Sequence, residues 1–243
     1  MDDAAARRSG RLQFALALLI AVLFVLPSRA TLACDVDRRL EAMQFVENLT
    51  RKAGDILTQN PNPLIPPLVP MTAHILENVK FDPLAKYAMG RFWHQATPEQ
   101  RLEYKSLFRE TVSYALAQQV MRFRNATLEI SKRPVFGANA LLLKSKLTLP
   151  RTAATHLGWR IAFNQCRAFL VDILRDNVSL ITVKREEFRA VVSRSGVGGL
   201  LIGLRRVATR QAQTAVGGQG HTSRAILSRL LLEAAAEMSK RVR

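Results

Sequence analysis

Histidine and cysteine are the residues best suited to metal or nucleophilic chemistry, and this 243-residue chain has few of either. Cys34 and Cys166 are the only cysteines, too few for a disulfide framework, and Cys166 falls in a polar turn between two predicted strands. No Gly-x-Ser-x-Gly motif is present. The histidines lack metal-ligand spacing; they are His74, His94, His156 and His221. The sequence therefore predicts no metal, no cofactor and no catalytic residue.

Asp172 is an acid inside an otherwise apolar strand pattern, Phe169 to Leu174. Two interpretations of it remain open. An acid among apolar neighbours can act as the base of an enzyme or small-ligand binder with a cone-like α+β fold. A buried acid is more often paired with an arginine, and Arg160 on the neighbouring strand is a candidate partner. The paired, structural role is favoured.

Phosphate and nucleic-acid motifs are not matched. Gly196-Val197-Gly198-Gly199 follows a predicted helix and lacks the Lys-Ser/Thr ending of a phosphate loop, so it predicts a turn between helices. The strands do not interleave basic and exposed aromatic residues, as a base-stacking surface requires. We expect no nucleic-acid partner.

The N-terminus has the pattern of a secretion signal. Arg7, Arg8 and Arg11 precede the apolar run 12–26, and small residues follow Pro27. About fifteen apolar residues are fewer than the ~20 needed to span a bilayer. We expect cleavage near Ala30 or Ala33 and a periplasmic protein. The second site would expose Cys34 for lipidation, although Thr31 matches a lipobox poorly.

The formal net charge of +17 is spread along the whole chain. For an exported protein the available polyanions are lipid headgroups, so the charge favours encounters with an anionic membrane surface. Solubility alone is an equally good explanation.

Helical periodicity predicts the elements that would position any site. One amphipathic helix is predicted from Asp37 to Gln59, followed by an extended proline-rich segment from Asn60 to Pro70. Short helices follow, broken at Asp82-Pro83 and Gly90. Thr97-Pro98-Glu99-Gln100 is an N-terminal capping signature for a helix reaching about Arg122.

The apolar period changes to two after Asn125, which predicts four or five antiparallel strands across 127–183. Helices are predicted again over 184–194 and 200–210, separated by the glycine turn. Residues 211–221 resemble a flexible linker, and Thr222 could cap a basic amphipathic helix. The predicted organisation is a signal peptide at 1–33, a domain at 34–210 and a basic extension at 211–243.

Several clusters resemble the MlaC, or toluene-tolerance, family of periplasmic phospholipid-binding proteins. These clusters are Phe81-Asp82, Gly90-Arg91-Phe92-Trp93, Ala96 to Arg101 with Leu107-Phe108, Trp159-Arg160, Val171-Asp172-Ile173, Asn177 to Leu180, and Arg185 with Phe188. Asn177 replaces a family glycine, and asparagine tolerates the left-handed turn that glycine adopts. Phe169 stands where the family often has tryptophan. The resemblance covers about residues 40–205.

The resemblance implies an α+β fold, with amphipathic helices packed on a twisted antiparallel sheet of four to five strands around an apolar lipid pocket. It also implies a carrier that moves phospholipid between an inner-membrane MCE/ABC transporter and an outer-membrane lipoprotein complex, and not an enzyme. A hopanoid-associated branch of the family remains open. The residues predicted to border the pocket are Phe92, Trp93, Leu107, Phe108, Trp159, Phe169, Val171 and Val178, although several could equally fill the core.

Overall fold

The computed structural model describes residues 38–58, 67–137, 139–164, 167–216 and 229. The predicted signal segment, most of the proline-rich segment, Cys34, Cys166 and the helix predicted after Thr222 lie outside the described residues. Within the described ranges, no helix combines the length and apolar character needed to cross a bilayer.

The first amphipathic helix is confirmed. α1 is Arg38–Thr58 and has apolar residues on two parts of its length. Ala42 and Val46 pack on the sheet, whereas Ile56 and Leu57 pack among the other helices. One helix therefore joins the two hydrophobic clusters of the fold.

The helices after the proline-rich segment begin and end at different residues than predicted. α2 is Leu68–Asn78 and includes Pro70, because proline is accepted in a first helical turn, where the N–H would have no helical partner. α3 is Phe81–Met89, so Asp82-Pro83 starts a helix and does not break one. The break lies at Val79, which is extended and forms a bridge with Leu170.

A 3₁₀ turn over Gly90–His94 precedes α4, Pro98–Met121. The predicted capping box is present. The Gln100 backbone N–H donates to Thr97 Oγ1 at 3.2 Å, and the Thr97 N–H donates to Gln100 Oε1 at 3.0 Å. Together these bonds satisfy two N–H groups at the start of the helix.

A single antiparallel sheet follows, with strand order β1-β3-β4-β5-β6 and β2 paired beside β1 on β3. It has six strands where four or five were predicted, because two of them are only two residues long. Their bounds are β1 Thr127–Ile130, β2 Val135–Phe136, β3 Leu141–Thr148, β4 Thr155–Asn164, β5 Arg167–Arg175 and β6 Val178–Ser179.

The sheet ends at Ser179, earlier than predicted. Asp176 and Asn177 both have positive φ, at 49° and 67°, and turn the chain from β5 into β6. Asn177 therefore adopts the left-handed conformation expected of it. Ser179 Oγ accepts from the Thr182 N–H at 3.2 Å, which places Thr182 in a helix and not in a strand.

The last long helix, α5, is Leu180–Val216 with one bend, at Gly196. Gly196 has φ 65° and ψ 179°, so the glycine turn is confirmed, but Gly198 and Gly199 are already helical. The helix continues six residues past the predicted end at 210. Ala208, Ala212 and Ala215 explain this extension, because all three are buried at helical spacing.

Two hydrophobic clusters hold these elements together. α1 covers one face of the sheet, where Leu141, Leu143, Trp159 and Ile161 are buried. The second cluster lies among the helices and contains edge-on or tilted ring contacts with centroids 5.8–6.4 Å apart. The rings belong to Phe81, Tyr104, Phe108 and Phe188.

Candidate functional site

A cavity of about 710 Å³ lies between α4, both halves of α5 and strand β5. This volume is in the range of small-molecule and cofactor sites. Most of its lining is apolar. The apolar lining residues include Leu84, Phe108, Val112, Ala115, Leu116, Leu170, Ile173, Ile181, Phe188, Val191, Leu204 and Val207.

The α4 wall follows from helical spacing. Phe108, Val112 and Leu116 are four residues apart, so they lie along one side of the helix and face the same space. Thr111 also lines the cavity, and its hydroxyl donates to the Leu107 carbonyl at 2.7 Å. The wall thus offers methyl groups and ring edges but few free polar groups.

The bend at Gly196 allows α5 to contribute two walls. Seven residues between 180 and 191 in its first half and seven between 200 and 211 in its second half line the same cavity. A straight 37-residue helix would be about 55 Å long and could not return to one cavity. Gly203 also lines the cavity, and no heavy atom would contact a Cβ added there.

Strand β5 has a β-bulge at the cavity. Ile161 pairs with Leu170 and Arg160 pairs with Asp172, so Val171 is the extra residue on β5. A bulge re-aims the side chains that follow it. Here Leu170, Asp172 and Ile173 all reach the cavity, although they do not follow the simple alternation of a regular strand.

The Asp172 carboxylate is buried, and both of its oxygens accept hydrogen bonds. Oδ2 accepts from Arg160 Nη1 at 2.8 Å and from Ser179 Oγ at 2.7 Å, while Oδ1 accepts from the Ile181 N–H at 3.3 Å. The pairing with Arg160 that the sequence favoured is confirmed. This network fixes the start of α5 against the sheet.

The cavity reaches the protein surface through its exposed lining residues. Leu180 and Val183 line the cavity and are 36% and 41% exposed. Charged residues adjoin them. We define the mouth as Leu180, Val183, Lys184, Glu187, Arg206 and Arg210.

Of the eight residues predicted to border a pocket, Phe108 lines this cavity and the other seven do not. Leu107 is buried in the helical cluster, and Trp159 is buried in the sheet cluster, where its Nε1 donates to Ser145 Oγ at 2.8 Å. Val171 is the half-buried bulge residue, and Val178 is exposed.

The remaining three predicted residues are rings that contact cations. Lys80 Nζ lies 3.8 Å from the centroid of Phe169, and Arg101 Cζ lies 5.5 Å from that of Trp93. Phe92 lines a smaller cavity of about 240 Å³ together with Arg91, Arg185 and Arg189. These rings contact cations and do not line the larger cavity.

Sequence reasoning missed most of the cavity lining. The signal on α4 was available, since Val112, Ala115 and Leu116 continue the helical stripe that contains Phe108. No sequence signal marked Gly203 or Val207, because the second half of α5 lines the cavity only after the chain bends at Gly196.

Histidine and acidic side chains in the described ranges form no cluster able to hold a metal ion. His74 has a structural environment instead. Its Nε2 donates to the Leu49 carbonyl at 2.9 Å, and Asn78 Nδ2 lies 3.4 Å from Nδ1. Burial lowers the pKa of His74, opposed by the Leu49 bond and reinforced by Lys52.

One comparison with known proteins identifies the family, and another identifies the fold. The family model described as MlaC protein matches residues 70–206, which is more than half of the chain. The chain belongs to the MlaC family. The structure is also similar to a phospholipid-binding protein from Ralstonia solanacearum, solved in complex with a phospholipid. The TM-score is 0.58 at 22% identity, covering 73% of this chain and 99% of that one, so this likeness shows a shared fold.

Proposed function

We propose that this protein is a periplasmic lipid carrier that holds the acyl chains of a phospholipid in the apolar cavity. The observation that carries the proposal is the cavity itself, about 710 Å³ in volume, lined by apolar side chains and reaching the surface at a mouth. Membership of the MlaC family and the phospholipid-bound relative of the same fold support it. The predicted signal peptide would place the carrier in the periplasm.

The energetics of acyl-chain burial suit a carrier. Each buried methylene contributes about 0.8 kcal/mol, so about ten methylenes would give micromolar affinity before other costs. A phospholipid buries two such chains and is held more tightly than one chain would be, so its release would need a partner to open the mouth. We infer that docking controls transfer, with an inner-membrane MCE/ABC transporter and an outer-membrane lipoprotein complex as the partners implied by the family.

Binding without chemical conversion is the function that the residues around Asp172 support. An active base needs a carboxylate oxygen free to accept a proton from its substrate. Both oxygens of Asp172 already accept bonds within the fold, from Arg160, Ser179 and Ile181. The other ionisable residues that line the cavity, Lys184, Glu187, Arg206 and Arg210, lie at its mouth, and Lys184 and Glu187 are paired with each other.

The test is native mass spectrometry, with lipid extraction, of the protein purified from the periplasm. We expect a bound phospholipid in the wild type. Ala115→Trp should reduce the bound lipid severalfold, because Ala115 lines the cavity and an indole would occupy the space of an acyl chain. Gln118→Trp is the matched control, since Gln118 is exposed on the same helix and does not line the cavity.

The outcomes separate the alternatives. A hopanoid in the extract would keep the carrier and change its ligand. A wild-type protein that is consistently empty of both lipids would refute the carrier proposal. Equal loss of lipid in the Ala115→Trp and Gln118→Trp variants would place the ligand elsewhere.

A further inference from the structure

The cavity mouth carries an excess of positive charge close to where a lipid headgroup would lie. Five ionisable residues line the cavity, namely Asp172, Lys184, Glu187, Arg206 and Arg210. Asp172 is buried and bonded to Arg160, so it is already balanced. The other four lie at the mouth and combine three cations with one carboxylate.

The single carboxylate at the mouth has a partner of its own. Glu187 Oε2 lies 2.6 Å from Lys184 Nζ, one turn earlier on the same helix. This exposed pair is close to neutral as a unit. The net charge of the mouth therefore comes from Arg206 and Arg210.

Arg206 and Arg210 form a cationic pair on α5. They are four residues apart on the second half of α5, so they lie on one side of the helix about 6 Å apart along its axis. Both are exposed, and neither forms a salt bridge within the part of the chain that the structure describes. By contrast, neighbouring Arg205 bonds to Glu103 through Nε and Nη2.

Two like charges at this spacing repel each other and cost stability unless an anion lies near them. Guanidinium groups bind phosphate oxygens through paired N–H donors. Since Arg206 and Arg210 also line an apolar cavity, the ligand that satisfies both features is an amphiphile with apolar chains and an anionic headgroup.

We infer that the Arg206–Arg210 pair selects lipids whose headgroup carries a net negative charge over zwitterionic ones. The inference rests on the proposed lipid-carrier function and specifies its substrate class. Both lipid types have a phosphate diester, so the discrimination comes from the alcohol that is esterified to this phosphate. A net positive mouth repels the ammonium of an ethanolamine headgroup but not an uncharged glycerol.

In the experiment, the full-length protein is first stripped of lipid. It is then mixed with equimolar phosphatidylglycerol and phosphatidylethanolamine that have identical acyl chains. The bound lipids are then quantified by native mass spectrometry and extraction. We expect wild-type protein to enrich phosphatidylglycerol about three- to tenfold, the range that two partly exposed ion contacts supply. In about 1 M salt, where the Debye length is about 3 Å, the enrichment should fall toward one.

Arg206→Gln/Arg210→Gln should bring the ratio close to one, because the two charges that distinguish the headgroups are removed. The matched control is Arg109→Gln/Arg194→Gln, which removes the same charge from exposed residues that do not line the cavity. The control should keep the wild-type ratio, and thermal unfolding should show both variants folded.

The possible results distinguish the headgroup selectivity from the carrier function. A wild-type ratio near one, with normal lipid loading, overturns the selectivity but leaves the carrier function intact. An equal drop in the control variant overturns the assignment to the mouth and points to the charge of the whole protein. Failure of the wild type to load either lipid overturns both proposals together.

Discussion

At the residue scale, Asp172 decides between two interpretations of the same pattern. A buried acid on a strand beside a cavity has the position of a catalytic base. Its side chain is 2% exposed, and its oxygens are used to join β5, β6 and the first turn of α5. Arg160 remains 42% exposed and can be hydrated when unpaired. The acid therefore has a larger structural role than the arginine.

Asp172→Asn is expected to lower the free energy of unfolding by about 1–3 kcal/mol, because it weakens the bonds from Arg160 and Ser179. Lipid loading should be unchanged. Denaturant unfolding and lipid extraction measure the two effects. Asp55→Asn is the control, since Asp55 lies in an exposed pair on α1 and should shift stability by less than about 0.5 kcal/mol. A variant with full stability but no bound lipid would contradict the structural role.

At the element scale, the bend in α5 determines whether a cavity exists. Because α5 bends, its second half returns to the cavity that its first half lines. Ile181 from the first half and Leu204 from the second therefore line one cavity. The conformation of Gly196, with φ 65° and ψ 179°, is one that residues with a Cβ avoid. Gly198 lies only two residues away in ordinary helical backbone.

Gly196→Ala is expected to destabilise the protein by about 1–3 kcal/mol through backbone strain alone, since no atom lies within 4 Å of the added Cβ. Gly198→Ala should instead stabilise it by about 0.5–1 kcal/mol, because alanine is the better helix former. Chemical denaturation compares the two. Equal effects would show that strain at the bend is unimportant. We also expect Gly196→Ala to reduce lipid loading.

At the scale of the whole molecule, α1 connects the sheet cluster with the helical cluster, and His74 ties α1 to α2. The hydrogen-bonding groups around His74 favour its neutral imidazole. Its Nε2–H donates to the Leu49 carbonyl, and its Nδ1 faces the Asn78 amide nitrogen, which is a donor. Protonation would place two donors opposite each other in a buried site.

The lowered pKa of His74 predicts how global stability depends on pH. Below the ordinary value of 6.5 the unfolded chain binds a proton that the folded protein resists, so stability is fully present above pH 6.5 and is lost as the pH falls below it. His74→Gln should make the stability of the folded protein depend less steeply on pH. Thermal unfolding across pH 5–8 measures it, with exposed His156→Gln as the control. A slope unchanged by His74→Gln would count against this assignment.

The sequence by itself determined the local structure and the family. The capping box at Thr97, the helical stripe of α1, the period-two strands and the left-handed turn at Asn177 all depend on neighbours within a few residues, so they could be predicted. The pairing of Asp172 with Arg160 was also within reach, because both lie on adjacent strands. Family motifs at Gly90-Arg91-Phe92-Trp93 and Asn177 to Leu180 then indicated the fold.

Only the tertiary structure decided which residues face the cavity. The predicted set favoured large aromatic residues, but Trp159 and Leu107 fill the cores, and Trp93 and Phe169 lie against cations. A filled core and an open cavity use the same apolar side chains and the same periodicity. The difference depends on how far α4 and the bent α5 stand from β5, and that separation is a property of the packed elements together.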